Sequence, residues 1–261
     1  MRILLLIFTC CICLAAGKPT IATIGTIPLP PGFKRAEQSM DSFGSWLRQV
    51  YLKPDKTVYL YNGKKKANQS AQYAVLDVAV GDKDLQQCAD AVMRLRAEYF
   101  YSKKAYSKIA FHSTSGTLLD FESWRNGYRF VLSGNKLVKR LTAAPASDRS
   151  SFEKYLETVF SWAGTLSLSK ELKPQKLTDL QPGDVFIKGG SPGHAVIVMD
   201  VAINTAGKKM FLLAQSYMPA QDIQLLINPS SSAFSPWYPA DFDGDLVTPE
   251  WIFSKDQLAK F

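Results

Sequence analysis

The chain has 261 residues, of which 46% are hydrophobic and 21% are charged, and its formal net charge at pH 7 is +8. This length and apolar content allow one large domain, or two small ones, with a packed core. The basic residues are scattered and no nucleic-acid recognition motif is present, so we expect no nucleic-acid partner. The one run of lysines, residues 64–66, is expected to be a solvated hairpin tip.

The N-terminus has the parts of a secretory signal peptide. Arg2 is followed by an unbroken apolar stretch from Ile3 to Cys13, and small residues follow as far as Gly17. Such a stretch is too short to cross a bilayer. The pattern predicts a signal peptide over residues 1–17, cleaved after Gly17, and hence an exported protein that is periplasmic or secreted. No later apolar stretch is long enough to predict a transmembrane span.

A lipid anchor on a cysteine of this segment is the competing interpretation. The three cysteines are Cys10, Cys11 and Cys13. Lipid attachment is recognised by a small residue before the cysteine, and Thr9, Cys10 and Ile12 fill those positions, so we favour cleavage. Cleavage leaves Cys88 as the last cysteine. The mature chain would then form no internal disulfide and would depend on its packed core.

The first half of the chain reads as an extended arm followed by short elements. Prolines in residues 18–35 predict the arm. An amphipathic helix is predicted over Ser42–Tyr51, and strands over Thr57–Tyr61 and Tyr73–Val80. The turn pair Asn62-Gly63 ends the first of these strands.

The clearest helix of this half begins after Gly81. Asp84 is its predicted N-cap, with Gln87 three residues on. Apolar residues recur along it at helical spacing, namely Leu85, Cys88, Val92, Leu95 and Tyr99. Cys88 therefore lies near the start of a predicted helix and on its apolar face.

The second half begins as a helical region and ends as a sheet. Residues 112–129 read as an aromatic loop. Ser150 and Glu153 form a capping box for a helix that ends at Gly164, and a shorter helix is predicted over Ser167–Leu172. Four strands follow, over Asp184–Lys188, His194–Asp200, Met210–Ser216 and Gln224–Asn228.

This order of elements predicts an α+β fold in which helices pack on an antiparallel sheet. We divide the mature chain into an N-terminal α+β portion, residues 18–145, and a C-terminal helix-plus-sheet portion, residues 146–261. The two are expected to form one compact body. The sequence predicts no cofactor and no metal site.

His194 lies in the segment that is the strongest candidate for a catalytic site. It stands at the first residue of a predicted strand, after a turn rich in glycine and proline over residues 189–193. A histidine there is held by the sheet yet borders an open loop, as a general base requires. The alternative is a buried histidine that donates to a backbone carbonyl. Local physics leaves both open.

The segments Pro182-Gly-Asp-Val185 and Gly193-His-Ala-Val-Ile-Val198 resemble the histidine region of papain-like cell-wall hydrolases of the NlpC and CHAP types. The resemblance implies that a cysteine at a helix start attacks an amide and that the strand histidine takes its proton. A polar residue on the following strand then orients the imidazole. Gln215 matches that role.

The chain departs from this pattern at the nucleophile. Such hydrolases carry the cysteine on the helix shortly before the sheet, and residues 162–170 contain Thr165, Ser167 and Ser169 but no cysteine. A serine is a poorer nucleophile at neutral pH unless a base activates it. Cys88 is the substitute candidate, because a helix N-terminus lowers a thiol pKa. Burial as an ordinary core cysteine is its alternative interpretation.

Over nearly its whole mature length the chain also resembles a family of secreted bacterial proteins called domain of unknown function 4846. The matching segments include 27–32, 87–91, 95–99, 162–165, 183–187, 192–198 and 214–221. This resemblance implies export and no particular activity.

Three hypotheses follow for function. The first is a papain-like amidase or peptidase acting on peptidoglycan or another envelope peptide, with Cys88 or Ser167 as nucleophile. The second is a binding module with the same fold, and the third is a structural envelope protein. We predict that His194 and Gln215 lie on adjacent antiparallel strands with their side chains on one face. We also predict that His194 lines a pocket and has a nucleophile candidate within hydrogen-bond or near-contact reach.

Overall fold

The computed structural model describes residues 22–261. The predicted signal peptide and the alternative lipid anchor fall on residues outside this range. The predicted arm before Arg35 is described from Ala22 onward, where it contains a short 3₁₀ turn at Ile24–Thr26 and then a strand.

Five α-helices occur among the described residues. They are α1 (Phe43–Arg48), α2 (Cys88–Ser102), α3 (Phe121–Arg125), α4 (Arg149–Trp162) and α5 (Thr165–Glu171). Side-chain caps explain several of their starts, because the first N–H groups of a helix have no partner within it. Ser42 accepts from the backbone N–H of Ser45 at 3.1 Å before α1, and Asp148 accepts from that of Ser151 at 3.0 Å before α4.

Fifteen short or medium strands occur in the same range. They are β1 (Phe33–Arg35), β2 (Gln72–Val75), β3 (Ala110–His112), β4 (Leu118–Asp120), β5 (Tyr128–Ser133), β6 (Lys136–Leu141), β7 (Lys173–Pro174), β8 (Val185–Lys188), β9 (His194–Asn204), β10 (Lys209–Gln215), β11 (Gln224–Leu226), β12 (Tyr238–Pro239), β13 (Leu246–Val247), β14 (Ile252–Phe253) and β15 (Leu258–Lys260).

Nine of these strands form one sheet, with the order β2-β11-β10-β9-β8-β15-β7, β1 beside β9 and β12 beside β10. All of its pairings are antiparallel. The α+β class with an antiparallel sheet is therefore confirmed. β1 and β2 come from the N-terminal portion and pair with β9 and β11 of the C-terminal portion.

The central strands are buried on both faces, so they read as continuous apolar runs. Alternate residues of β9 enter two different cores. Ala195 and Ile197 face a large core shared with α2 and α4. Val196 and Val198 face a second core, which includes Phe253 of β14. This double burial places helix α2 on one side of β9 and the β13–β14 hairpin region on the other.

Several predicted boundaries are wrong for local reasons. The strand predicted over Thr57–Tyr61 is reduced to isolated bridges at Tyr59 and Leu60, and the strand over Tyr73–Val80 ends at Val75. Residues 112–129 are not a plain loop, since they contain α3, which Asp120 caps by accepting from Ser123 N–H.

Two predicted helix caps are also corrected. Asp148, rather than Ser150, caps α4. Helix α2 begins at Cys88 after Gln87, and the Asp90 carboxylate accepts from the backbone N–H of Gln87 at 3.0 Å. Asp84 is not its N-cap, because its Oδ1 accepts from the backbone N–H of Ala220 at 2.7 Å and so ties this loop to the segment after β10.

Candidate functional site

A cavity of about 500 Å³ opens where the N-terminus of α2 meets the start of β9. Its walls come from the loop before α2, the α4–α5 junction, the glycine-rich turn before β9 and the segment after β10. The lining residues that bear on chemistry are Asp84, Cys88, Asp90, Thr165, His194, Tyr217 and Trp251. Cys88 and His194, which are far apart in sequence, thus share one cavity.

Cys88 is the first residue of α2, a helix of 15 residues. Helix α2 packs against β9, the strand that begins with His194. Burial above all, and Asp90 in addition, raise the pKa of the thiol to about 11. The N–H groups of Ala89 and Ala195 oppose this by favouring the thiolate. In the free protein the side chain is a thiol at neutral pH.

His194 is the first residue of β9 and is almost completely buried. Its ring packs among three aromatic side chains, with centroid distances of 4.8 Å to Tyr217, 5.2 Å to Trp251 and 5.9 Å to Phe253. Burial lowers the pKa of the imidazole to about 4, and the nearby charge of Lys66 lowers it too. The hydrogen bond to Gln215 opposes this shift. The imidazole is therefore neutral at pH 7.

Gln215, the last residue of β10, holds the ring in place. His194 Nε2 and Gln215 Oε1 are 2.8 Å apart, and Gln215 Nε2 donates to Glu250 Oε2 at 2.8 Å. Because the carboxylate of Glu250 accepts from the amide nitrogen, the amide oxygen must face His194. The Nε2 atom of His194 is therefore the donor, and its Nδ1 atom carries the free lone pair. The predicted placement of His194 and Gln215 on adjacent antiparallel strands, with side chains on one face, is confirmed.

A neutral thiol and a neutral imidazole that line one cavity are compatible with general-base catalysis rather than with a preformed ion pair. Among the hydrogen bonds of residues 22–261, none joins the sulfur of Cys88 to His194, so proton transfer requires a closer approach of the two side chains. Catalytic contacts of this kind are commonly long before substrate binds. His194 lines a pocket, as predicted, and Cys88 lines the same one. A near contact between their side chains stays a prediction.

The serine candidates lie elsewhere. Ser167 Oγ accepts from Gly164 N–H at 3.0 Å and donates to Gly164 O, so it caps α5. It borders a separate cavity that also contains His112 and Glu171. Ser169 Oγ donates to Leu166 O within the same helix. The structure does not bring Ser167 or Ser169 to the cavity of His194.

Thr165 and the turn before β9 shape the wall opposite Cys88. Thr165 Oγ1 donates to Gly190 O at 3.1 Å. A Cβ atom at Gly193 would lie 2.6 Å from Thr165 Oγ1 and 2.3 Å from Gly190 O. Only glycine fits this close approach, which brings α5 against the residue that precedes His194.

Sequence reasoning missed two charged members of the site. Glu250 accepts from Gln215, from Asn68 Nδ2 at 3.0 Å and from Lys66 Nζ. Lys66 was expected at a solvated tip; Lys64 and Lys65 are exposed, but only 8% of Lys66 is. No local pattern marks either residue, because their pairing joins segments that are remote in sequence.

In the part of the chain that the structure describes, no group of three or more His, Cys, Asp or Glu side chains is arranged to hold a metal ion. None of the helices within residues 22–261 has both the length and the apolar character needed to cross a membrane.

The chain belongs to the family described as domain of unknown function (4846), whose family model matches residues 24–260. This match confirms the second of the two resemblances noted from the sequence. Comparison with curated proteins gives no significant match, and comparison with solved structures gives none.

Proposed function

We propose that the protein is an exported papain-like cysteine amidase or peptidase that acts on envelope peptides. Cys88 is its nucleophile, His194 its general base and Gln215 the residue that orients the imidazole. The observation that carries the proposal is that Cys88, at a helix N-terminus, and His194 line one cavity, while Gln215 is hydrogen-bonded to His194 at 2.8 Å.

The arrangement of elements supports a papain-like fold. Helix α2 supplies the cysteine and packs on β9, which supplies the histidine, while the neighbouring strand β10 supplies the polar third residue. The chain order of cysteine helix, histidine strand and third strand is that implied by the sequence resemblance. Helix α2 thus takes the place first expected for the α4–α5 region, and residues 103–184 separate it in sequence from β8, the strand before the histidine strand.

The chemistry proceeds through an acyl-enzyme. As Cys88 Sγ attacks the amide carbon, its proton passes to His194 Nδ1 and a C–S bond forms. The imidazolium returns the proton to the departing amine as the C–N bond breaks. Water, deprotonated by the same imidazole, then attacks the thioester carbon; the C–S bond breaks, the acid product leaves, and the imidazolium returns its proton to the Cys88 sulfur. The N–H groups of Cys88 and Ala89, in the first turn of α2, are suited to stabilise the oxyanion.

The electrostatics of the cavity favour a neutral or cationic substrate. Among the described residues that line it, no lysine or arginine is present. Burial raises the pKa of Asp90 to about 8, so the acidic side chain that counts at neutral pH is Asp84. Asp84 is exposed, and both of its hydrogen bonds use Oδ1. Its Oδ2 atom is left for a ligand, so a peptide with a free amino group near the scissile amide fits this rim.

The test is hydrolysis of peptidoglycan-derived peptides by the purified protein, with products identified by mass spectrometry. We expect cleavage by the wild type and none by Cys88→Ala or His194→Ala. Ser169→Ala is the matched control and should retain activity, because Ser169 lies outside the cavity. Equal cleavage by Cys88→Ala and the wild type would reject the proposal.

A binding module is the second candidate. Two features favour a binding module: the raised pKa of Cys88, and the absence of a sulfur–imidazole hydrogen bond among the described residues. Both indicate a thiol that is not activated for attack. This function predicts that wild type and Cys88→Ala bind the same peptide with equal affinity and that neither consumes it. Calorimetry followed by mass analysis of the recovered peptide separates the two functions.

A further inference from the structure

We propose that Glu250, held by Lys66 and Asn68, is a positioning residue that fixes the amide of Gln215 and thereby the tautomer of His194. The catalytic consequence of this inference rests on the proposed function, whereas the tautomer itself does not.

A chain of side-chain hydrogen bonds leads away from His194. Gln215 Nε2 donates to Glu250 Oε2 at 2.8 Å, Lys66 Nζ donates to the same oxygen, and Asn68 Nδ2 donates to Oε1 at 3.0 Å. Both carboxylate oxygens are thus occupied by donors from the segment after residue 65 or from Gln215. Glu250 directly precedes Trp251, whose ring packs on His194.

The amide of glutamine is nearly symmetric in shape, so packing alone does not decide which end faces the histidine. A carboxylate accepts hydrogen bonds but donates none, and Glu250 therefore selects the NH₂ end of Gln215. The carbonyl end is left for His194, where it requires a proton on Nε2. The Nδ1 atom is then free to take the proton of the thiol.

If Glu250 no longer selected the NH₂ end of Gln215, the position of the proton on His194 would change. If the amide of Gln215 rotated, its NH₂ group would donate to His194 Nε2 and the imidazole proton would move to Nδ1. A protonated Nδ1 accepts no proton from Cys88. In a related arrangement, a wrong histidine tautomer lowers the catalytic rate by several orders of magnitude.

Lys66 maintains the charge of the network. It is almost completely buried, with 8% exposed, and Glu250 is the acceptor of its ammonium group among the described residues. Burial lowers the pKa of Lys66, and Glu250 opposes this shift. A buried ion pair adds little net stability compared with apolar residues of similar size, but it can impose a specific arrangement. In this protein the Lys66–Glu250 pair imposes the orientation of the Gln215 amide.

The test measures the tautomer of His194 by ¹⁵N NMR of its ring in the inactive Cys88→Ala protein at pH 7. We expect a pyrrole-type Nε2 and a pyridine-type Nδ1. In a Lys66→Met/Glu250→Gln variant, which removes both charges without leaving one unpaired, we expect a mixture of tautomers or the Nδ1–H form. A pure Nε2–H form in this variant would overturn the proposal, as would an Nδ1–H form before the change.

Lys53→Met is the matched control, because Lys53 pairs with the buried Asp222 at 2.9 Å in another ion pair. It should lower stability without changing the tautomer. In the active protein, Lys66→Met/Glu250→Gln should lower kcat by about tenfold or more with little change in KM. The NMR result does not depend on activity, so it tests the role of Glu250 even if the protein hydrolyses no peptide.

Discussion

The backbone N–H of Ala195 lowers the pKa of the Cys88 thiol. Cys88 is the first residue of α2, Ala195 is the second residue of β9, and His194 is the strand residue immediately before it. The donor favours the thiolate, so the strand that carries the base also stabilises the product of proton removal. The following predictions depend on this junction.

Replacement of Gln215 by alanine should impair both catalysis and stability. The change removes the acceptor of His194 Nε2 and the donor to Glu250, both of which lie in a largely buried setting. We expect kcat/KM to fall at least about tenfold, and the free energy of unfolding to fall by about 1–3 kcal/mol. Urea unfolding and steady-state kinetics measure the two effects. An unchanged kcat/KM would remove Gln215 from the mechanism.

The stability of the protein should fall between pH 6.5 and pH 4 because of His194. Its pKa is about 4 in the folded protein, below the ordinary value of 6.5, so the unfolded chain binds the extra proton in this interval. The contribution is complete above pH 6.5 and is lost as pH falls toward 4. It amounts to about 3 kcal/mol at most. Urea unfolding of wild type and His194→Gln should show the larger loss in the wild type, and parallel curves would contradict the assignment.

Asp90 should oppose stability at alkaline pH. Burial raises its pKa to about 8 from an ordinary 3.8, so the folded protein keeps a proton that the unfolded chain loses between these values. Stability from this group is full below pH 3.8 and is lost as pH rises to 8. Asp90→Asn should therefore be more stable than the wild type at pH 9, by a few kcal/mol at most. The gain should shrink at pH 5, and a gain independent of pH would refute this explanation.

Asp84 should control selectivity for amino groups near the scissile amide. Asp84→Asn retains an Oδ1 acceptor for Ala220 N–H and Gln87 Nε2 and removes the charge. We expect kcat/KM for a peptide with a free amine to fall about fivefold to tenfold, as for loss of an exposed charge contact of about 1 kcal/mol. The N-acetylated form of the same peptide serves as control and should be affected less. Equal effects on both peptides would exclude an electrostatic role.

The sheet half of the site follows from local patterns in the sequence. Apolar runs bounded by glycine and proline predict β8, β9 and β10, and their short connections make neighbours of them. His194 and Gln215 then meet because the antiparallel register brings the start of β9 beside the end of β10. Other strands of the sheet, such as the edge strand β7 and its neighbour β15, are too short to leave a periodic signal.

The helix half of the site depends on tertiary packing. The periodicity around Cys88 predicts a helix but not which strand it packs against, so an ordinary core position and a catalytic one look the same in sequence. Glu250 and Lys66 illustrate the same limit, because each has an exposed-looking neighbourhood in sequence. Lys66 binds Glu250, and Glu250 binds Gln215, only because the fold brings residues 58–69 and 248–251 together at one end of the sheet.

The rate at which iodoacetamide alkylates Cys88 at pH 7 tests the central claim most directly, because it reports the coupling of thiol and imidazole without a known substrate. The wild type and His194→Gln, which preserves approximate side-chain size, are compared by peptide mass spectrometry, with circular dichroism to confirm folding. The account predicts that wild-type Cys88 is alkylated at least about tenfold faster, since the imidazole is the base that accepts its proton in the proposed mechanism. Equal rates in two folded proteins would contradict it.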